Sequence, residues 1–338
     1  MKAIFFELEP WEKKKIEETR AFEHLGVTSI MVDKPLNKDH LPKDLDAEIV
    51  SVFVGSIVDK KVIKAFPKLK FIAARSTGYD HIDISECNKR KIKVAYVPCY
   101  GERTVAEYAF ALLLTISRKI FTSYHQVRET GSFDQENLRG FDLFGKTLGV
   151  VGTGNIGRNI IRIAKGFGMK VVAIDPHPDK KFAAELGFKY MSLEEVLSIS
   201  DVVTLHVPYV KSTHHLINFD TIRLFKHGAV LINTSRGPVV ETEALVSALK
   251  DGTLAGAGLD VLEEEGIIKD ELSFITSGHP EEYNLRTVLA NHILIDLPNV
   301  IVTPHNAFNT TDALARILNT TFESIVSFVQ GKPVNLVK

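Results

Sequence analysis

Cysteine is nearly absent from this chain: Cys87 and Cys99 are the only two among 338 residues. Two thiols build no secreted disulfide framework and their spacing fits no zinc motif, so a reducing cytoplasm is the expected setting and no metal is expected. An excess of one charge is also missing. Lys and Arg number 41 against 42 Asp and Glu, a net charge of −1, so there is no basic footprint for nucleic acid or an anionic membrane. Long apolar runs are missing too: the strongest, Tyr108 to Ile116, falls well short of the roughly 18 residues a membrane helix needs. The N-terminus turns acidic at Glu7, too early for a signal peptide. There is no internal repeat and no low-complexity segment. What remains is an ordinary globular composition, 45% hydrophobic and 25% charged, in a chain long enough for two domains.

The most informative segment present is Leu148-Gly-Val-Val-Gly-Thr-Gly-Asn-Ile-Gly157. A short apolar strand feeds a Gly-x-Gly-x-x-Gly turn, where Gly152 permits the tight turn, Gly154 lets backbone approach a pyrophosphate, and Gly157 lets the next helix lie close. The free N–H groups and dipole of that helix N-terminus favour phosphate. A second strand, Lys170 to Ile174, ends at Asp175. That is about 20 residues past the turn, where a carboxylate meets the adenosine ribose hydroxyls. Strand, turn, helix, strand and terminal acid together predict a dinucleotide site. Asp175 is followed by Pro176-His-Pro-Asp179 and no arginine, which predicts NAD over its 2′-phosphorylated counterpart.

Strand-like and helical patterns alternate along the chain, which predicts α/β architecture with parallel sheets. Ahead of the fingerprint, strands are expected near 3–6, 29–32, 49–53, 71–74 and 94–96, with helices near 11–24 and 60–66 between them. Residues 101–121 read as one long helix, apolar nearly all round and therefore buried on both faces. After the fingerprint, helices are expected at 193–198, 219–225 and 243–250, and six strands near 148–151, 170–174, 202–206, 229–233, 256–260 and 300–303 make a doubly wound sheet. Residues 266–298 read as polar and irregular. A closing helix at 311–330 should pack back on the first domain, which makes the dinucleotide domain an insertion.

Three ionisable residues stand where strands of the second half end, and ligand crevices of open α/β sheets lie at such ends. Arg236 follows the strand ending at Asn233, Glu265 follows Gly258-Leu-Asp-Val-Leu-Glu-Glu, and His305 follows Ile301-Val-Thr-Pro. Singly they read as a helix-capping arginine, one of three solvated glutamates and a loop histidine. Together they match what hydride transfer between a carbonyl and an alcohol requires. A guanidinium clamps a carboxylate through two parallel hydrogen bonds and so orients the adjacent carbonyl. A histidine exchanges the proton, and a carboxylate beside it stabilises and orients the imidazolium. The pair His214 and His215 reads as an exposed loop with no third ligand at metal-binding spacing. The lysines at 13–15 and 60–61 read as solvated faces.

On the segments Ser76-Thr-Gly-Tyr-Asp-His-Ile-Asp83, Tyr100-Gly-Glu-Arg-Thr-Val-Ala-Glu107, Gly152–Gly157, His206-Val-Pro208, Asn233-Thr-Ser-Arg-Gly237, Gly258-Leu-Asp-Val261 and Thr303-Pro-His305, the chain resembles the D-isomer-specific 2-hydroxyacid dehydrogenases over essentially its whole length. The run from His305 through Asn306-Ala-Phe308 and the length of 266–298 look most like the D-lactate dehydrogenase branch. The resemblance implies two doubly wound domains: a Rossmann NAD-binding domain, 101–305, inserted into a flavodoxin-like substrate domain, 1–100 with 306–338. It implies Arg236 as carboxylate clamp, His305 as acid/base and Glu265 as its partner, chosen over Glu263 and Glu264 by distance from Asp260. Asn155 and Ile156 would present backbone to the pyrophosphate of NAD. Thr104, His206, Val207, Pro208, Thr213, Thr234, Ser235 and Asp260 would line the cofactor track, with Arg236 beside it. Thr77, Gly78, Tyr100 and Phe308 would join Arg236 and His305 around a small 2-oxo or 2-hydroxy acid. A homodimer is expected. The rival expectation is an NAD(H)-sensing, co-repressor-like binding protein of the same fold.

Overall fold

The computed structural model describes residues 1–19, 22–266 and 284–337. They divide into two compact units, Met1–Tyr100 with Thr310–Lys338, and Gly101–Asn309. Among the described residues no helix is long and apolar enough to cross a membrane.

The first unit contains β1 (Lys2–Phe5), α1 (Pro10–Thr19), β2 (Thr28–Met31), β3 (Ile49–Val52), α2 (Lys60–Ala65), β4 (Phe71–Ala74), α3 (Ile84–Lys89) and β5 (Lys93–Ala95). Its five strands pair in parallel in the order β2-β1-β3-β4-β5. β3 and β4 are buried at every residue, which is why β4 reads as an unbroken apolar block and β3 as one interrupted only by Ser51, rather than as alternating strands. The order is the flavodoxin-like one. The C-terminal helix Thr311–Val329 belongs to this unit: Phe328 stacks on Phe71 with ring centroids 4.4 Å apart, and the Val337 N–H donates to Val94 O at 2.8 Å.

The second unit opens with α4 (Glu102–Ser117) and α5 (Ile120–Thr130). There follow β6 (Thr147–Val151), α6 (Asn155–Gly166), β7 (Lys170–Ile174), α7 (Lys180–Leu186), β8 (Lys189–Tyr190), α8 (Leu193–Ile199) and β9 (Val202–Leu205). The unit continues with β10 (Ala229–Asn233), α9 (Thr242–Lys250), β11 (Leu254–Leu259), α10 (Leu285–Asp296) and β12 (Val300–Val302). Its sheet is parallel throughout, in the order β12-β11-β10-β9-β6-β7-β8. Connections run outward in both directions from β6 and β9, so the topological switch point falls beside the loop after β6. Apolar clusters cover both faces of the sheet.

Four local expectations need correction. The helix expected over 101–121 breaks after Ser117: Lys119 is left-handed at φ 53°, and the Ser117 carbonyl accepts from the Phe141 N–H at 2.8 Å. The returning chain thereby takes the acceptor that a continuing helix would use, and α5 starts on a new axis. Residues 219–225 form only a 3₁₀ turn at Ile222–Leu224, because the Asn218 side chain takes the N–H groups of Asp220 and Thr221. The sheet has a seventh strand, β8, only two residues long. Finally, 285–296 is helical, begun by Asn284, whose side chain accepts from Arg286 N. The earlier part of the segment read as irregular, 267–283, lies outside the described residues.

Candidate active site

β6 ends at Val151 and α6 begins at Asn155, so residues 152–154 make the turn. Gly152 has φ 93°, and a Cβ there would come within 2.7 Å of the His206 carbonyl oxygen. A Cβ on Gly157 would lie 2.1 Å from the Gly152 oxygen, so turn and helix touch backbone to backbone. Gly154 is different. Its φ is −66° and a Cβ would meet no atom within 4 Å among the described residues, so none of these requires glycine there. The open space lies at the start of α6, which has no side-chain cap and begins with Asn155 and Ile156. A helix N-terminus with no side-chain cap beside an open glycine suits a pyrophosphate.

Asp175 stands at the end of β7. One carboxylate oxygen accepts from Thr153 N at 2.7 Å and Thr153 Oγ1 at 3.0 Å, the other from His177 N at 2.8 Å. Burial works to raise this carboxyl, but those three donors outweigh it and hold it below the ordinary value. Thr153 Oγ1 also bonds Tyr190 Oη at 2.9 Å, which ties β8 to the loop. Neither residue was anticipated from sequence.

After β9, His206 Nε2 bonds Thr204 Oγ1 at 2.8 Å while its buried Nδ1 has no partner among the described residues. Burial pushes this imidazole down to about 3. Val207 is half-buried and Pro208 exposed. The Thr213 hydroxyl closes its own loop, donating to Pro208 O at 2.7 Å and accepting from Val210 N at 2.9 Å. After β10, Asn233 arranges the chain: its Oδ1 accepts from Ser235 N and Oγ, and its Nδ2 donates to Arg236 O. Thr234 Oγ1 is buried with no partner among the described residues. Two orphaned polar atoms, an open glycine and an uncapped helix N-terminus fit a bound dinucleotide. Thr104 is buried in the first turn of α4.

Two of the three ionisable residues, Glu265 and His305, meet beyond the ends of β11 and β12. His305 has φ 53°, a conformation non-glycine residues rarely adopt. Asp260 enforces it: its carboxylate accepts from Thr303 Oγ1 at 2.5 Å and from the N–H groups of Asn306 and Ala307 at 2.8 Å, and its carbonyl accepts from His305 N. Burial raises the Asp260 carboxyl against those donors and the His305 charge. Expected along the cofactor track, Asp260 has both oxygens engaged in the loop that carries His305. His305 Nδ1 lies 2.9 Å from Glu265 Oε1, and the Phe308 ring meets the imidazole edge-on with centroids 6.5 Å apart. Arg236 is half-buried in the loop after β10, with Nη1 donating to Ser235 O at 2.8 Å.

In the first unit, the loop after β4 carries Thr77 and Gly78. Thr77 Oγ1 donates to Val97 O at 2.7 Å and Ser76 Oγ to Gly78 O at 2.6 Å. Arg75, missed from sequence, anchors that loop while 1% exposed: it donates to Phe6 O, Glu7 O and Ser51 Oγ and pairs with Glu12 at 3.4 Å. A lone arginine following an apolar strand is the signal that could have found it. Tyr100 accepts at its carbonyl from Arg316 Nε at 2.6 Å.

His214 and His215 are more than an exposed pair. Their rings stack at 3.9 Å, and His215 Nε2 lies 2.7 Å from Glu263 Oε1. Among the described residues no cluster of His, Cys, Asp and Glu could hold a metal ion.

Comparison with known proteins gives this architecture a context. Residues 110–307 match the family described as D-isomer specific 2-hydroxyacid dehydrogenase, NAD binding domain. The chain is 37% identical to a 2-hydroxyacid dehydrogenase homolog of Zymomonas mobilis, covering 98% of each. It is also 37% identical to a glyoxylate reductase of Korarchaeum cryptofilum, covering 96% of each. Its structure is similar to that of D-lactate dehydrogenase from Aquifex aeolicus complexed with NAD and lactic acid, with TM-score 0.86 and 35% identity over 98% of this chain and 96% of that one.

Proposed function

The chain belongs to the D-isomer-specific 2-hydroxyacid dehydrogenase family and carries its NAD-binding domain, and from that premise we propose that it interconverts a small, pyruvate-like 2-oxo acid and the D-2-hydroxy acid. The observation that carries the reading is the 2.9 Å pair of His305 and Glu265, with the His305 loop held by the Asp260 carboxylate through Thr303, Asn306 and Ala307. When bound at the Gly152–Gly157 turn and Asp175, NADH would supply the hydride in reduction and NAD+ would accept it in oxidation. Arg236 holds the substrate carboxylate in a two-bond fork, which fixes the orientation of the adjacent carbonyl. His305 gives the proton from Nε2 to the carbonyl oxygen as the hydride arrives at carbon, and takes it back in the reverse direction. Glu265 accepts from Nδ1, fixing the tautomer and balancing the imidazolium charge. Thr77, Gly78, Tyr100 and Phe308 contact the substrate. Asp175 prefers NADH, because a carboxylate repels a 2′-phosphate.

A lactate-type substrate is supported by the similarity to the Aquifex aeolicus enzyme, and the glyoxylate reductase relative makes a two-carbon oxo acid the closest competitor. We further propose that the protein is a homodimer joined through α5 and that it works in the cytoplasm, where Cys87 and Cys99 stay reduced. The test is a panel of pyruvate, glyoxylate, hydroxypyruvate, phenylpyruvate and 2-oxoisocaproate with NADH and NADPH. The expected result is fastest NADH oxidation with pyruvate. Equal efficiency with NADPH would refute the Asp175 assignment, and NADH binding without turnover of any acid would favour the NAD(H)-sensing alternative.

A further inference from the structure

Glu263 lies two residues before Glu265 and its side chain is only 11% exposed. One carboxylate oxygen bonds His215 Nε2 at 2.7 Å; the other accepts from Thr242 N at 2.8 Å and Thr242 Oγ1 at 2.7 Å. Thr242 opens α9, whose preceding residue, Glu241, makes no side-chain cap, so Glu263 caps that helix from a distant part of the chain. Its peptide is held as firmly. The Glu263 carbonyl accepts from Asn291 Nδ2 at 2.6 Å, and Asn291 is fully buried in α10. Against the other side lies Gly237, where a Cβ would fall 2.0 Å from the Leu262 oxygen and 2.4 Å from Glu263 N. Gly237 is the residue after Arg236. Beyond Glu263, the left-handed Glu264, φ 52°, turns the chain so that Glu265 reaches His305.

We propose that Glu263 is a positioning residue: its carboxylate, locked on α9 and His215, fixes the peptide from which Glu265 meets His305 and against which the Arg236 segment packs. The inference rests on the reading of His305 and Glu265 as the acid/base pair. What Glu263 contributes is reach, since three bonds converge on two oxygens at one place. Misplacing a reacting group by about 1 Å costs on the order of 100-fold in rate.

Two substitutions separate reach from charge. Glu263→Asp keeps the charge but withdraws the carboxylate by about 1.5 Å, one carbon–carbon bond. Glu263→Gln keeps the reach: its oxygen still accepts from Thr242, and its amide donates to His215 in the tautomer with Nε2 free. In the full-length protein with pyruvate and NADH, Glu263→Asp should lower kcat on the order of 100-fold with the KM for NADH little changed, and Glu263→Gln should stay close to wild type. The ring resonances of His305, assigned by their loss in His305→Ala, should move in Glu263→Asp and stay in Glu263→Gln, without cofactor or substrate present. Thr242→Val, which removes one of the three bonds, covers the case in which Glu263→Asp does not fold; its kcat should fall and the His305 signals shift. Wild-type kcat and unmoved signals in Glu263→Asp, or in Thr242→Val in that case, would overturn the proposal, as would a loss in Glu263→Gln as large as in Glu263→Asp. His305→Ala separates the two levels: turnover surviving that change would refute the acid/base reading itself, whereas an inactive His305→Ala beside an unaffected Glu263→Asp would refute only this inference.

Discussion

Glu263, Glu264 and Glu265 are consecutive and chemically alike, yet each stands in a different environment. Glu263 caps α9, Glu264 turns the chain in a left-handed conformation with its carboxyl raised by burial and by Glu263, and Glu265 bonds His305. Environment, not residue type, separates their roles. At Arg236 the residue type itself matters. Lysine there keeps the charge but loses the planar fork, so Arg236→Lys should cut kcat/KM with pyruvate roughly 100-fold, the scale of a misplaced reactant. NADH binding, read by fluorescence, should be unchanged, and near-wild-type turnover would show that Arg236 is not the clamp. His206 gives a prediction in pH. Its imidazole is neutral in the folded protein down to about 3, whereas an unfolded histidine titrates near 6.5. Between those values the unfolded chain binds the extra proton, so stability rises with pH through the window. The contribution of His206 is therefore complete above about pH 6.5 and is lost progressively toward pH 3. Urea midpoints at pH 7.5, 6.5 and 5.5 should fall faster in wild type than in His206→Gln. Parallel curves would mean that His206 is not held neutral.

At the scale of elements, legibility followed burial. β3, β4 and β10 are buried at every residue and read from sequence as largely apolar blocks, and the glycine turn after β6 carries its own punctuation. α10 did not read as a helix because Arg286, Asn291 and His292 interrupt its apolar residues, and because buried Asn291 serves a polar contact with Glu263 that no periodicity encodes. The break between α4 and α5 was illegible for a similar reason: its cause, the Phe141 N–H on Ser117 O, comes from a segment more than twenty residues away. The nearness of Glu265 and His305 was legible only through the equivalence of strand ends and the family resemblance; Glu263, passed over beside it, carries its contacts to His215 and α9 through the fold. α5 itself yields a prediction. No side chain of this helix is buried, and Ile120, Phe121 and Tyr124 are 50%, 60% and 58% exposed. A short helix draws its stability from a packed apolar face, and among the described residues nothing buries that face. Sedimentation should therefore show a dimer, and Phe121→Glu combined with Tyr124→Glu should shift it to monomer. A wild-type monomer would refute the assignment of α5 as the contact.

At the scale of the molecule, the chain leaves its first unit at Tyr100 and re-enters it at Thr310. Each unit has its own parallel sheet and its own apolar clusters. The second unit is continuous in sequence, and the groups assigned to NAD, together with Arg236, Glu265 and His305, all lie within it. The first is completed only by its C-terminal piece: Leu318, Phe322 and Ile325 are buried with Phe5, Phe22 and Phe71, and Leu336 bridges Ala95. A unit with its own core folds alone when its chain is continuous, whereas one deprived of a packing helix exposes apolar surface and loses the burial that stabilises it. Three fragments test this asymmetry. Residues 101–309 should unfold in urea as one cooperative transition and bind NADH, but should not reduce pyruvate if Thr77, Gly78 and Tyr100 contact the substrate as proposed, since all three are missing. Residues 1–100 should not fold, since every contact of the helix Thr311–Val329 is gone. The same residues joined to 310–338 through a flexible linker should recover a cooperative transition. A folded 1–100 fragment would mean that the C-terminal helix adds nothing essential to the first sheet, and failure of 101–309 to bind NADH would move part of the cofactor site outside the second unit.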